Sequence, residues 1–230
     1  GYIARRELWA KLPDRQALNH VVRFGVPMVP HVLAGQLLVN LDRLMVSYVL
    51  GIESLGIFMV ASQLGMALSF VIEPLNRALG PWLFDALTKR EPGIERVIVK
   101  FSYLIFAGLL VLALVCAVLF ALAFPLVFPP EYGAAKTIIF PLAIGMAFQG
   151  MYYGVVNYLF YVEATARLSV ASTAVVGLSI GTSYLFISNF GLLGAALSFV
   201  LTNAVLFLVV WYLASKAVPM PWAIWRKATR

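Results

Sequence analysis

From Phe101 to Pro130 the chain carries no charged residue, and the same holds from Thr137 to Val162 and from Leu168 to Ser215. A helix that crosses the hydrocarbon core of a bilayer needs about 20 consecutive, mostly apolar residues. The third stretch is too long for one crossing, and Ser188-Asn189-Phe190-Gly191 divides it, because Asn and Gly punctuate helices. Two less pure apolar segments come earlier. The pattern therefore predicts six spans, near 24–50, 54–84, 98–127, 135–160, 166–187 and 192–215. No segment alternates polar and apolar residues over the length of a barrel strand. The expected fold class is an all-α integral membrane protein whose six transmembrane helices form one bundle.

Composition agrees. Hydrophobic residues make up 62% of the 230 and charged residues 12%, against about 25% charged in soluble domains. The net charge of +7 comes from residues between the spans, where basic side chains set orientation. No basic stripe with interleaved aromatics is present, so nucleic acid is not an expected partner. Six spans put both ends on one side. That side holds Arg5, Arg6, Lys11, Arg15, Arg23, Lys89, Arg90, Arg96, Lys100, Arg167, Lys216, Arg226, Lys227 and Arg230; the other holds Lys136 and, at the far end of the first span, Arg43. The positive-inside bias makes the basic side cytoplasmic. Gly1-Tyr2-Ile3-Ala4 before Arg5-Arg6 reads as the tail of an earlier helix, which leads us to expect a piece of a longer protein.

Chemistry of the enzymatic kind is hard to find. Cys116 is the sole cysteine and sits mid-span; His20 and His31 are the sole histidines. No phosphate-binding glycine loop, zinc-spaced cluster or nucleophile elbow occurs, and no cofactor is expected.

Polar residues inside the spans are the informative ones, because a charge at the bilayer centre costs about 2.5–3.5 kcal/mol on insertion scales. Gln36, Asn40 and Arg43 follow i, i+4, i+7 spacing and share one helix face, with Asp42 about 100° round from Arg43. Either Asp42 and Arg43 border a cavity, or they snorkel to the outer interface. In the second span Ser62, Ser69, Glu73, Asn76 and Arg77 form a stripe, and Glu73 and Arg77 are i, i+4 partners. Pro74 loosens the helix there. Gln149, Tyr153 and Asn157 share a face of the fourth span, suited to interhelical hydrogen bonding or to a sugar. His31 reads as a packing histidine or as a proton carrier. Gly191, Gly194, Ala195 and Ala196 let backbones approach closely at the start of the last span.

The ordered set Arg23-Phe24-Gly25-Val26-Pro27-Met28-Val29-Pro30, Asp42-Arg43, Leu50-Gly51, Gly56-Ile57-Phe58, Asn76, Pro81-Trp82-Leu83-Phe84 and Pro130-Glu131-Tyr132 resembles the C-terminal half of bacterial polysaccharide (O-antigen type) flippases. These are members of the multidrug/oligosaccharidyl-lipid/polysaccharide exporter superfamily. The resemblance implies two six-helix lobes around a central cavity, with this chain as the second lobe and an N-terminal lobe as its partner. It further implies passage of undecaprenyl-diphosphate-linked sugars across the inner membrane by alternating access, coupled to H+ or Na+. In that setting Arg43 and Arg77 are head-group candidates. Gln36, Asn40, Asn76, Gln149 and Asn157 are polar lining, and Asp42, Glu73 and His31 are ion-coupling candidates. Rival expectations are a cation-coupled drug exporter of the same superfamily and a membrane-embedded glycosyltransferase or acyltransferase.

Overall fold

The computed structural model describes residues 15–89 and 91–222. Of the basic residues named above, Arg5, Arg6, Lys11, Arg90, Arg226, Lys227 and Arg230 lie outside the described residues, as do the side chains of Arg15, His20 and Arg23. Among the described residues, every regular element is helical: α1 (Arg15–Leu50), α2 (Ile52–Met66), α3 (Ser69–Lys89), α4 (Ile94–Val127), a 3₁₀ turn (Pro130–Tyr132), α5 (Ala135–Tyr161) and α6 (Thr165–Ala217).

Gly51, at φ 86, ends α1 in the left-handed region that favours glycine, and α2 starts at the next residue. Within α1, Met28–Leu38 and Asn40–Leu50 are bent by 41°. The bend coincides with Asn40, whose side-chain amide donates to the Gln36 carbonyl at 2.8 Å. A side chain inserted into the ladder in this way tilts carbonyls off the helix axis.

The single helix expected near 54–84 is two. Residues 67–68 form a tight turn in which Leu68 N–H donates to the Gly65 carbonyl at 3.1 Å and Phe70 N–H to the Ala67 carbonyl at 3.2 Å. Pro74 supplies no N–H to the carbonyl of Phe70, so the first turns of α3 have a thinned ladder beside a 3₁₀-type break.

α6 reverses at Gly191, whose φ 58 and ψ −135 are not helical. The Ser183 and Ser198 hydroxyls are 2.8 Å apart although 15 residues separate them; a straight helix would hold them about 22 Å apart. The two limbs, 165–190 and 192–217, are therefore antiparallel. A Cβ at Gly194 would overlap the Phe186 carbonyl, and Ala195 and Ala196 are fully buried. Small residues bring the limbs together where no hydrophobic drive between helices exists.

α4, α5 and α6 are each long and apolar enough to cross a membrane, and the bent α1 adds a fourth when its halves count as one span. Their roles differ. In the most apolar window of α5, 61% of residues are buried, against 28% in α4. So α5 is the central post, and α4 turns Leu104, Val111, Leu119, Leu122 and Leu126 outward. α1 does the same with Val26, Val29, Leu33, Leu37 and Leu44. Helices with satisfied backbones and apolar outer faces suit a lipid surround.

α1 and the first limb of α6 run parallel. His31 meets Ser172 and Asp42 meets Ser183, and both pairs are 141 residues apart. The limb carries buried Ser169, Ser172, Ser179 and Ser183 at steps of three, seven and four residues, one stripe of small side chains that admits close packing. Ser172 and Ser179 donate back to the carbonyls of Ser169 and Val176 at 3.1 and 2.8 Å, so burial leaves these hydroxyls satisfied.

After α6 the chain folds back as a short strap. The Trp222 carbonyl accepts from the Tyr103 hydroxyl at 2.9 Å, and its ring packs against Tyr103, Tyr158 and Trp211. This contact gathers the start of α4, the end of α5 and the end of α6 at one end of the molecule. Lys89, Arg96, Lys100, Arg167 and Lys216 sit at helix termini on that same end.

Candidate functional site

Two adjoining cavities open against α1. The smaller, about 160 Å³, lies among α1, α2, α3, α5 and the second limb of α6, with Asp42, Arg43, Ser62, Ser69, Glu73, Gln149 and Tyr153 in its wall. The larger, about 290 Å³, lies among α1, α5 and both limbs of α6; His31, Gln36, Tyr152, Tyr153, Gln149, Ser172, Thr202 and Asn203 line it. Asp42, Gln149, Tyr153 and Phe199 belong to both walls. Phe199 reaches this position because position 145 is glycine: a Cβ there would meet Phe199 Cε1 at 2.6 Å.

Asp42 is buried, and the Ser183 hydroxyl donates to its carboxylate at 3.2 Å. Ser183 in turn meets Ser198 at 2.8 Å. If Ser183 gives its proton to Asp42, Ser198 is the donor in the second bond, since a hydroxyl has one proton to give. The chain Asp42–Ser183–Ser198 thus ties α1 to both limbs of α6.

Arg43 does not pair with its neighbour. Among the described residues its hydrogen-bond partner is the Met66 sulfur, at 3.4 Å. Thioether sulfur is a weak acceptor, so the guanidinium fork keeps its capacity for an anion. The expected Asp42–Arg43 pair is replaced by two groups with different tasks: a buried carboxylate held by hydroxyls, and a half-buried cation at a cavity wall.

His31 is bonded on both ring nitrogens, to Ser172 Oγ at 3.0 Å through Nδ1 and to the Tyr152 hydroxyl at 3.2 Å through Nε2. Ser172 donates to the Ser169 carbonyl, so Nδ1 is the donor to Ser172. Nε2 then accepts from Tyr152, the pattern of a neutral imidazole. His31 pins α1 to α5 and α6.

The other expected site residues divide. Gln36, Gln149 and Glu73 line cavity walls. Asn40 lines neither cavity and is taken up by its own helix. Asn76 and Asn157 bond to each other at 2.9 Å, and Asn157 also donates to the Tyr153 carbonyl at 2.9 Å; they lock α3 to α5 and face neither cavity. Arg77 pairs with Glu73 at 3.7 Å, with both side chains mostly exposed. Tyr152, Ser172, Ser183, Phe199, Thr202 and Asn203 were not among the expected site residues. The helical spacing of Ser169, Ser172, Ser179 and Ser183 is the signal for two of them; nothing local marks Phe199.

Residues 2–87 match the model of a family described as polysaccharide biosynthesis protein, a stretch that contains Gln36, Asp42, Arg43 and Glu73. Protein 1 of the Lsg locus of Haemophilus influenzae is 24% identical over 164 residues, 70% of this chain and 41% of that relative. The chain thus spans about two fifths of the length of the relative it matches. No solved structure matches. The apolar helices mark a multi-pass membrane protein, and the two likenesses make it similar to polysaccharide biosynthesis proteins over part of its length.

Proposed function

We propose that this chain is one six-span lobe of a flippase that carries lipid-linked oligosaccharides across the bacterial inner membrane, with both ends of the segment cytoplasmic. The two limbs of α6, together with α4, α5, α1 and the α2–α3 pair, are the six spans. The observation that carries the reading is Arg43, a cation inside an apolar chain segment, at a cavity wall, without a carboxylate partner among the described residues. Such a group is expensive in a membrane unless it serves a substrate or ion path. A lipid diphosphate is anionic, and a guanidinium fork matches its oxygens bidentately. The polar wall groups Ser62, Ser69 and Gln149 offer hydrogen bonds beside it.

The exposed polar side chains Gln36 on α1, Gln63 on α2 and Glu73 and Arg77 on α3 do not suit lipid contact. They suit a water-filled cleft facing an N-terminal lobe. Asp42 and Glu73 are the carboxylates available for coupling to H+ or Na+. Arg77, ion-paired to Glu73, stands at the rim of that cleft. The reading is that of a transporter, not an enzyme.

The test is surface polysaccharide in a flippase-null strain carrying the complete protein, normalised to its abundance in the membrane. Arg43→Ala is expected to abolish export, and Arg43→Lys to retain part of it, because Lys keeps the charge and loses the fork. Near-normal export by Arg43→Ala would remove the head-group role and the main support for the reading.

A further inference from the structure

We infer that the larger cavity is a sugar-ring subsite, in which Gln149, Tyr153, Thr202 and Asn203 hold the glycosyl unit next to the diphosphate. This rests on the transport reading above and assigns the cargo's parts to separate places.

The two cavities differ in charge. The smaller contains Arg43 in its wall, whereas among the described residues the larger has no Lys or Arg in its wall. Asp42 borders the larger one, which disfavours a phosphate there and suits a neutral polyol. Among the described residues the side chains of Gln36, Gln149, Tyr153 and Thr202 make no hydrogen bond; Asn203 uses one N–H on the Phe199 carbonyl at 2.9 Å and keeps its oxygen free. Free amides and hydroxyls, which both donate and accept, match the alternating character of sugar hydroxyls. Tyr152 and Tyr153 add aromatic surface, with ring centroids 5.4 Å apart; an aromatic ring presents an apolar body to the C–H face of a pyranose while its hydroxyl stays polar.

Size agrees with a single ring. About 290 Å³ lies at the lower end of small-ligand sites, roughly 300–1,000 Å³. The shared wall matters most. Asp42, Gln149, Tyr153 and Phe199 border both cavities, so a ligand with its diphosphate against Arg43 would have its first sugar at the neighbouring wall. The remaining sugars of a longer glycan would lie in the cleft outside.

The experiment measures binding to the complete protein, purified in detergent, with two probes: undecaprenyl diphosphate and undecaprenyl-diphosphate-N-acetylglucosamine. The unmodified protein is expected to bind the sugar-bearing probe more tightly. Asn203→Leu and Thr202→Val, at positions that border only the larger cavity, should each weaken that probe by about twofold to tenfold, the range for losing one hydrogen bond, and leave undecaprenyl diphosphate unchanged. Thr202→Ser, which keeps the hydroxyl, should keep the affinity. Arg43→Ala should weaken both probes. Equal binding of the two probes by the unmodified protein overturns the subsite and leaves the transport reading standing. So does an equal loss for both probes in Asn203→Leu and Thr202→Val. If the unmodified protein binds neither probe, the transport reading falls and the subsite falls with it.

Discussion

The Ser183 hydroxyl donates to the Asp42 carboxylate at 3.2 Å, across the same 141-residue offset that joins His31 to Ser172. Eleven residues separate the two contacts on each helix, about three turns. Two polar rivets in one register hold α1 parallel to the first limb of α6, and both rivets border the larger cavity. The packing of α1 and the shape of the site are therefore one problem, not two.

Removing the hydroxyl of the second rivet should be costly. Ser183→Ala leaves a buried carboxylate without its donor, a loss of about 1–3 kcal/mol. Ser183→Leu should be worse, because a branched side chain at a fully buried serine pushes α1 off α6. Thermal unfolding of the detergent-purified complete protein measures both. A Ser183→Leu protein as stable as the unmodified one would show that the close approach is not needed.

The wall between the cavities can be moved from behind. A Cβ at Gly145 would collide with the Phe199 ring. Gly145→Ala should destabilise by about 1–3 kcal/mol, the usual range for overpacking. Phe199→Leu, in the same chain, should recover part of that loss, because the smaller side chain vacates the contested space. A double variant no more stable than Gly145→Ala alone would break the link between the two residues.

The C-terminal strap should be structural. Trp222 packs on Tyr103, Tyr158 and Trp211 at 6.3, 5.8 and 5.4 Å between ring centroids. Aromatic pairs contribute about 0.5–1.5 kcal/mol each beyond their buried area. Trp222→Ala should lower the unfolding temperature and expose the segment after Ala217 to protease, whereas Trp222→Phe should keep most of the protection. Equal protease resistance in Trp222→Ala would mean the strap is held by something other than this ring.

Sequence reading and structure agree where the signal is local. Uncharged runs mark α4, α5 and α6, and the Asn189–Gly191 punctuation falls at the reversal, because a left-handed glycine and a chain of hydrophobic residues both announce themselves in a few positions. The break at 67–68 was not legible. It rests on i→i+3 hydrogen bonds inside an ordinary apolar stretch, with Pro74 acting from downstream. Helical spacing also told which residues share a face, without telling what the face meets. Asn76 and Asn157 looked like cavity lining, yet they find each other across 81 residues. Asn40 shares its face with Arg43, yet its amide turns back on the Gln36 carbonyl. The cavity wall at Phe199 depends on a glycine on another helix, and no spacing rule connects positions 145 and 199.

Orientation is the remaining relationship that one experiment can decide. Lys89, Arg96, Lys100, Arg167 and Lys216 lie at helix termini on the end where the Trp222 strap packs; Lys136 and the Gly191 reversal lie at the start of α5 and between the limbs of α6. Basic residues are retained on the cytoplasmic side, so Lys89 should face the cytoplasm and Ser188 the opposite compartment. Both positions are exposed. Each can take a single cysteine in a Cys116→Ser background, which removes the chain's own thiol. Lys89→Cys breaks an exposed i, i+4 pair with Asp85 at 2.7 Å, and such surface pairs contribute little to stability. An impermeant maleimide applied to intact cells should label Ser188→Cys directly, and Lys89→Cys only after the membrane is opened. Labelling of both from the same side would mean an even number of crossings between them. In that case α4, α5 and the first limb of α6 could not all span the bilayer, and the six-span lobe would have to be redrawn.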